Sequence, residues 1–401
     1  MRTLFWKSRI LLLVVTAFVV ACKNGGDPDP SASYQYLVEA KQVASLTKDQ
    51  VASQVAAANP IFSGLVQFGV TTYRITYKTK NADGTEVMAS GALVVPATQN
   101  AVPMVSYQHG TITSDASAPS YFSATSGMDG QLVILMGSVG YITVAPDYIG
   151  YGVSNTLPHT YESRQGLAQA SLDLLRAAKE FFAGKSAWDN RLYLTGYSEG
   201  GYATMALLKK MEEEAPSEFN IRAVSCGAGA YNKTSFMKHL VNDTGTTLAA
   251  YNRLYVWVLM TYNRIYGLNR APSYYFKEPY ASQIPAIVNS AADLDNVTIN
   301  ASLNTAFTDS FRKGLNDGTD TAFLNAIKDN DIYDWKPKST LQLYHGDADE
   351  LVPFYNSQSA YDAMKARGAA NVELITMKGK THTSGITEYA TGTLILFTSV
   401  K

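Results

Sequence analysis

The stretch Leu194–Thr204 reads LTGYSEGGYAT. A strand-like apolar run, RLYLT (191–195), leads into it, and a run of helix formers, YATMALLKKMEEE (202–214), leads out. Between the two, Ser198 stands among Gly196, Gly200 and Gly201. An ordinary loop serine needs no such surroundings. Gly196-Tyr197-Ser198-Glu199-Gly200 fits the pattern G-x-S-x-G, in which small residues two before and two after the serine let a strand turn abruptly into a helix. That turn leaves the hydroxyl exposed at the edge of a sheet, where it can act as a nucleophile.

The rest of the chain supplies a fold for such a turn. Short, continuously apolar segments recur at VPMVSYQ (102–108), YITVAPD (141–147), RLYLTG (191–196), IRAVSCG (221–227), LQLYHG (341–346) and VELITM (372–377). Helical stretches such as QGLAQASLDLLRAAKEFF (165–182) separate them. Alternating strands and helices, with strands apolar on both faces, predict an α/β fold around a mostly parallel sheet covered on two sides. Ahead of these, YRITYKTKNADGTEVMASGALVVPA (73–97) reads as two alternating strands joined by a tight Asp-Gly turn. The spacing over Tyr34–Ala58 predicts one or two entry helices. Lys233–Ser339 shows helical patterns and no convincing strand, and a structureless loop of that length is improbable in a compact domain. It is read as a helical insertion, 233–339, in a core formed by 34–232 and 340–401.

A serine hydroxyl needs a base to take its proton and a carboxylate to orient that base. After a G-x-S-x-G turn the partners follow in the order acid, then histidine. HGDADELVP (345–353) follows a strand and offers Asp349, with Asp347 as its rival. Of the five histidines, His382 in KGKTHTSG is the only one downstream of both Ser198 and Asp349. His109, His159, His239 and His345 are read as packing or surface residues. Negative charge developing on a carbonyl oxygen needs aligned donors. The backbone N–H of Glu199, just after the serine, and that of Thr111, after the early strand ending YQHGT, are the candidates. Asp147 in APDYIGYG is read as fixing its own turn by capping backbone N–H groups.

Together YQHGT, APDYIGYGVS, GYSEGG, HGDADELVP and THTSG resemble the α/β-hydrolase superfamily, and within it the secretory lipases and lipoprotein esterases. The resemblance covers roughly 70–232 and 340–401. It implies an α/β-hydrolase fold with an eight-stranded sheet, Ser198 as nucleophile, Asp349 as acid and His382 as base, and neither metal nor cofactor. The expected reaction is carboxylic ester hydrolysis through an acyl-enzyme, on a small-molecule ester. Glu199 beside the nucleophile departs from the family's pattern.

In the insertion, Tyr251, Tyr255, Tyr262 and Tyr266 recur along one helical face. Such a face either packs as core or lines a partly wet pocket, since tyrosine joins an apolar body to a hydroxyl. Tyr255 and Tyr262, with Tyr148 and Tyr197 from the core, are the expected pocket residues, and Tyr151 is an alternative to Tyr148. The insertion is expected to cap the serine and to favour soluble esters of short to medium chain length.

The amino terminus is a targeting signal. Arg2, Lys7 and Arg9 precede an apolar run, Ile10–Ala21, too short to span a bilayer. Ala21-Cys22 resembles a bacterial lipobox, so residues 1–21 are read as a lipoprotein signal peptide and Cys22 as the acylated first residue. The alternative is a plain secretory signal. KNGGDPDPSAS makes the tether, 22–33 with the cysteine, that a domain on a lipid requires. The chain is thereby expected at the bacterial cell envelope, anchored to a membrane, with the outer membrane favoured. Cys226, the other cysteine, is expected to be a buried small hydrophobe. With 46% hydrophobic and 17% charged residues and a formal net charge of −1, the composition is globular and offers nothing to a nucleic acid. Two further readings compete: a prolyl-oligopeptidase-like peptidase, whose usual β-propeller has no room here, and a non-catalytic ligand-binding lipoprotein, which would be expected to lack a triad member.

Overall fold

The computed structural model describes residues 34–58, 60–122, 127–245, 251–299 and 302–400. The proposed signal peptide, Cys22 and the tether lie outside the described residues. The strands are β1 (Leu37–Leu46), β2 (Val70–Lys80), β3 (Glu86–Pro96), β4 (Val102–Gln108), β5 (Ile142–Pro146), β6 (Trp188–Tyr197), β7 (Asn220–Gly227), β8 (Thr340–Gly346) and β9 (Val372–Met377). They form one nine-stranded sheet in the order β1-β2-β3-β5-β4-β6-β7-β8-β9. The pairs β1/β2, β2/β3 and β3/β5 are antiparallel, and every pair from β5 to β9 is parallel. The fold is that of an α/β-hydrolase.

The expected hairpin is β2/β3. Asn81 N donates to Thr85 O at 2.8 Å, and Gly84 takes φ 85°, a left-handed conformation that a Cβ would strain. Two expectations need correction. The sheet has nine strands rather than eight, and the extra one, β1, occupies the first half of the segment read as helical. Its burial alternates poorly, with Leu37 and Ala40 buried and Val38 and Val43 exposed, and two register shifts interrupt its pairing with β2. Pairing along an open sheet edge, which local spacing does not report, decides its conformation.

The principal helices are α1 (Lys48–Ala58), α2 (Gly127–Ser138), α3 (Arg164–Phe181), α4 (Glu199–Glu214), α5 (Lys233–Asn242), α6 (Asn252–Ile265), α7 (Asp309–Asn316), α8 (Thr321–Asp329), α9 (Tyr355–Ala366) and α10 (Ile386–Ser399). Side chains alternate across the sheet: Leu93 of β3 joins a core with α3, α4 and α9, whereas Ala92 and Val94 join one with α1, α2 and α10. The sheet is thus covered on both faces.

The connection between β7 and β8 contains α5 to α8 and has a core of its own. Tyr275, Phe307, Phe311 and Phe323 pack ring against ring at its centre, with Phe311 5.0 Å from Tyr275 and 5.3 Å from both phenylalanines. Much of the aromatic density in this connection is therefore packing. No helix among the described residues is long and apolar enough to cross a membrane.

Candidate active site

The glycines around Ser198 have a steric reason. A Cβ at Gly200 would overlap the carbonyl oxygen of Gln108 on β4, and one at Gly201 that of Gly227 on β7. The start of α4 therefore sits directly against both flanking strands. Ser198 itself takes φ 61°, ψ −124°, a strained conformation for a residue with a side chain. Its N–H donates to Gly227 O at 2.8 Å, which secures the turn.

His382 follows β9 and precedes α10. Its Nε2 lies 2.9 Å from Ser198 Oγ and its Nδ1 2.7 Å from Asp349 Oδ2. Nδ1–H donates to the carboxylate, leaving Nε2 to accept from the serine hydroxyl. His382 is further fixed through its backbone, whose N–H donates to Glu350 Oε2 at 3.1 Å and whose carbonyl accepts from Tyr197 Oη at 2.7 Å.

Asp349 is buried in the loop after β8. Its Oδ1 accepts from the backbone N–H groups of Leu351 and Val352 at 2.9 and 2.8 Å. Burial by itself raises its carboxyl, but hydrogen bonds with His345 and His382 outweigh that and hold it well below the usual carboxylate range. Its rival Asp347 is exposed and accepts from Gly379 N at 2.6 Å, as a turn residue does.

The two expected oxyanion donors lie at the same end of the sheet. Glu199 opens α4, where the first backbone N–H groups have no partner within the helix. Thr111 follows β4, whose Gln108 is paired with Gly196 of β6, and its hydroxyl lies 3.0 Å from Tyr161 Oη.

Ser198 opens into a cavity with an empty volume of about 580 Å³ including its mouth. Phe236, Met237, Leu240, Val258 and Ile327 make most of its wall apolar, and Tyr255 and Tyr262 of α6 are part of that wall. Tyr148 and Tyr197 are not. Tyr148 is fully buried and donates to His109 O at 3.2 Å, while Tyr197 supports His382 from behind. The hydroxyls of the wall tyrosines are also occupied: Tyr255 donates to Leu351 O at 2.7 Å and Tyr262 to Glu162 O at 2.8 Å. These rings offer the cavity apolar surface rather than a wet one.

Residues 116–396 match the profile of the secretory lipase family, a span that includes Ser198, Asp349 and His382. The chain belongs to the secretory lipase family. Lipase 10 of Candida albicans is 24% identical over 329 residues, which are 75% of this chain and 66% of the yeast protein, so the chain spans a little under two thirds of that relative. Among solved structures, a Legionella pneumophila protein superposes with a TM-score of 0.79 at 25% identity, covering 91% of this chain and 98% of that one. The rice cell wall degrading esterase LipA from Xanthomonas oryzae does so with a TM-score of 0.78 at 22% identity, covering 92% and 99%.

Four residues near the site in this secretory lipase fold escaped the sequence reading or were read differently. His159 is no surface residue: it is fully buried, with Nδ1 2.7 Å from Ile149 O and Nε2 2.9 Å from Glu199 Oε1. His345 is buried behind the acid, with Nε2 2.7 Å from Val352 O and 3.4 Å from Asp349 Oδ2. Glu350 joins the His382 backbone to Tyr251 Oη, 3.0 Å from its Oε1. Asp147 fixes a neighbouring segment rather than its own turn, accepting from Ser120 N at 2.8 Å and from Ser90 Oγ at 2.5 Å. Of these, Glu350, beside Asp349, and His345, four residues before it, had a visible signal. Cys226 is buried, as expected, and burial pushes its thiol up.

Proposed function

We propose that the chain is a serine hydrolase of carboxylic esters, with Ser198 as nucleophile, His382 as base and Asp349 as acid. The observation that carries this reading is the hydrogen-bonded line from Ser198 Oγ to His382 Nε2 at 2.9 Å and from His382 Nδ1 to Asp349 Oδ2 at 2.7 Å. Ester chemistry is taken from the names of the relatives, one a lipase and one an esterase. Ser198 Oγ attacks the ester carbonyl as its proton passes to His382 Nε2, and the oxyanion is met by the backbone N–H groups of Glu199 and Thr111. Collapse breaks the bond to the alcohol, which leaves with the proton from His382. Water, deprotonated by the same nitrogen, then attacks the acyl-enzyme, and the acid departs as the Ser198 hydroxyl re-forms.

In this reading residues 233–339 form a helical cap on a hydrolase core of 34–232 and 340–401. The cap contributes Leu240, Met237 and Ile327 to the apolar wall of the cavity, and soluble esters of short or medium chain length are the expected substrates. Residues 1–21 direct export, and Cys22 carries the lipid that holds the enzyme at the cell envelope through the tether 22–33. A chain-length series of nitrophenyl esters, run beside a peptide substrate panel, tests the substrate class. The expected result is an optimum at short or medium acyl chains, lost in Ser198→Ala. An optimum at long chains, or turnover of peptides alone, would overturn it.

A further inference from the structure

The cavity wall contains one polar feature that the ester chemistry does not use. Glu162 and Lys233 both line the cavity that Ser198 opens into, both are buried, and Lys233 Nζ donates to Glu162 Oε2. The remaining wall is aliphatic or aromatic apart from Ser198, and its tyrosine hydroxyls are taken: Tyr255 and Tyr262 donate to backbone carbonyls, and Tyr161 is paired with Thr111. Glu162 Oε1 has no hydrogen-bond donor among the described residues, while Nζ lies 4.0 Å from the centre of the Tyr202 ring and also interacts electrostatically with the Asp331 carboxylate. One acceptor and one N–H therefore remain side by side in an otherwise apolar wall.

Both residues are held where local preference opposes them. Glu162 takes φ 54°, the left-handed region that costs a residue with a side chain. Lys233 is the first residue of α5, where the helix dipole disfavours a cation, and burial lowers its ammonium well below the usual lysine range. Packing alone would be better served by apolar residues at such positions.

We propose that Glu162 and Lys233 form a hydroxyl-recognising subsite in the substrate cavity, so that the preferred ester carries a neutral hydroxyl on the part that enters it. A hydroxyl donates to Glu162 Oε1 and accepts from Lys233 Nζ at once, whereas a plain hydrocarbon chain satisfies neither. The pair has no net charge to offer a carboxylate. The proposal rests on the ester hydrolase reading.

The test compares nitrophenyl esters of unsubstituted acids with esters of the same length bearing a hydroxyl at successive positions along the acyl chain, and with half-esters ending in carboxylate. In the parent enzyme kcat/KM for at least one hydroxyl position should exceed its unsubstituted match by about tenfold or more, because a site built to bond a hydroxyl discriminates against an analogue lacking it. The ratio should fall to about one or below in the double variant Glu162→Leu with Lys233→Met, which removes both charges together and avoids leaving one buried alone. An unchanged ratio in the double variant, a parent that favours unsubstituted esters at every position, or a preference for the carboxylate-ended series would overturn the subsite while leaving the ester reading intact. Failure of the parent to hydrolyse any ester would overturn both.

Discussion

Replacing Asp349 by asparagine changes few atoms and should nearly abolish turnover. One oxygen of the carboxylate accepts from the N–H groups of Leu351 and Val352 at 2.9 and 2.8 Å, and the other faces His382 Nδ1 at 2.7 Å. An asparagine keeps the two backbone bonds only by placing its carbonyl oxygen there, which turns its NH2 group toward the histidine. His382 must then accept at Nδ1 and carry its proton on Nε2, so it can no longer take the proton of Ser198. A wrong tautomer in an otherwise intact triad costs about 10⁴ in kcat, or about 5.5 kcal/mol of barrier. The assay is steady-state hydrolysis of a short-chain nitrophenyl ester, with circular dichroism to verify folding. Asp347→Asn serves as the control: Asp347 is exposed and bonds the turn at Gly379, so its variant should stay within about twofold of the parent. A folded Asp349→Asn protein within tenfold of the parent, or a large loss in Asp347→Asn, would refute the reasoning.

Three further outcomes are expected. Gly201→Ala drives a methyl group into the Gly227 carbonyl and should destabilise the fold by about 2 kcal/mol or more, read as a lower urea midpoint; an unchanged midpoint would contradict the packing described. Asp349 is held well below the usual carboxylate range in the folded chain. Its ionisation therefore contributes stability that is fully present above the unfolded value of about 3.9 and is lost as pH falls toward the lower folded value. Acid titration of unfolding free energy should consequently be steeper for the parent than for Asp349→Asn, and equal slopes would count against the depressed carboxyl. Finally, Cys22→Ser should abolish incorporation of a fatty-acid probe and release the protein from the membrane fraction; equal labelling of both forms would remove the lipid anchor.

Much of the architecture was legible because parallel strands buried on both faces appear as apolar runs, and β4 to β9 each coincide with one. β1 was not, since an edge strand with exposed Val38 and Val43 has no core-facing pattern strong enough to displace a helical reading. Within the candidate site, Ser198, Asp349 and His382 could be named because strand ends, chain order and a short inventory of histidines constrain them. The second layer could not. His159 meets Glu199 and Glu162 meets Lys233 only after the chain has folded, across separations that carry no periodic signal; His345, four residues before Asp349, is the exception. The tyrosines show the same limit from the other side: the spacing along α6 places Tyr255 and Tyr262 on the cavity, but only the fold reveals that their hydroxyls turn to backbone carbonyls.

The central claim is that Ser198 is an activated nucleophile. It is tested most directly by treating the protein with a fluorophosphonate, digesting it and locating the adduct by mass spectrometry. A single stoichiometric phosphonyl group on Ser198, formed in parallel with loss of esterase activity and absent from Ser198→Ala and from denatured protein, is the predicted result. A folded protein that hydrolyses esters while Ser198 remains unmodified, or whose adduct lies on another residue, would contradict the account.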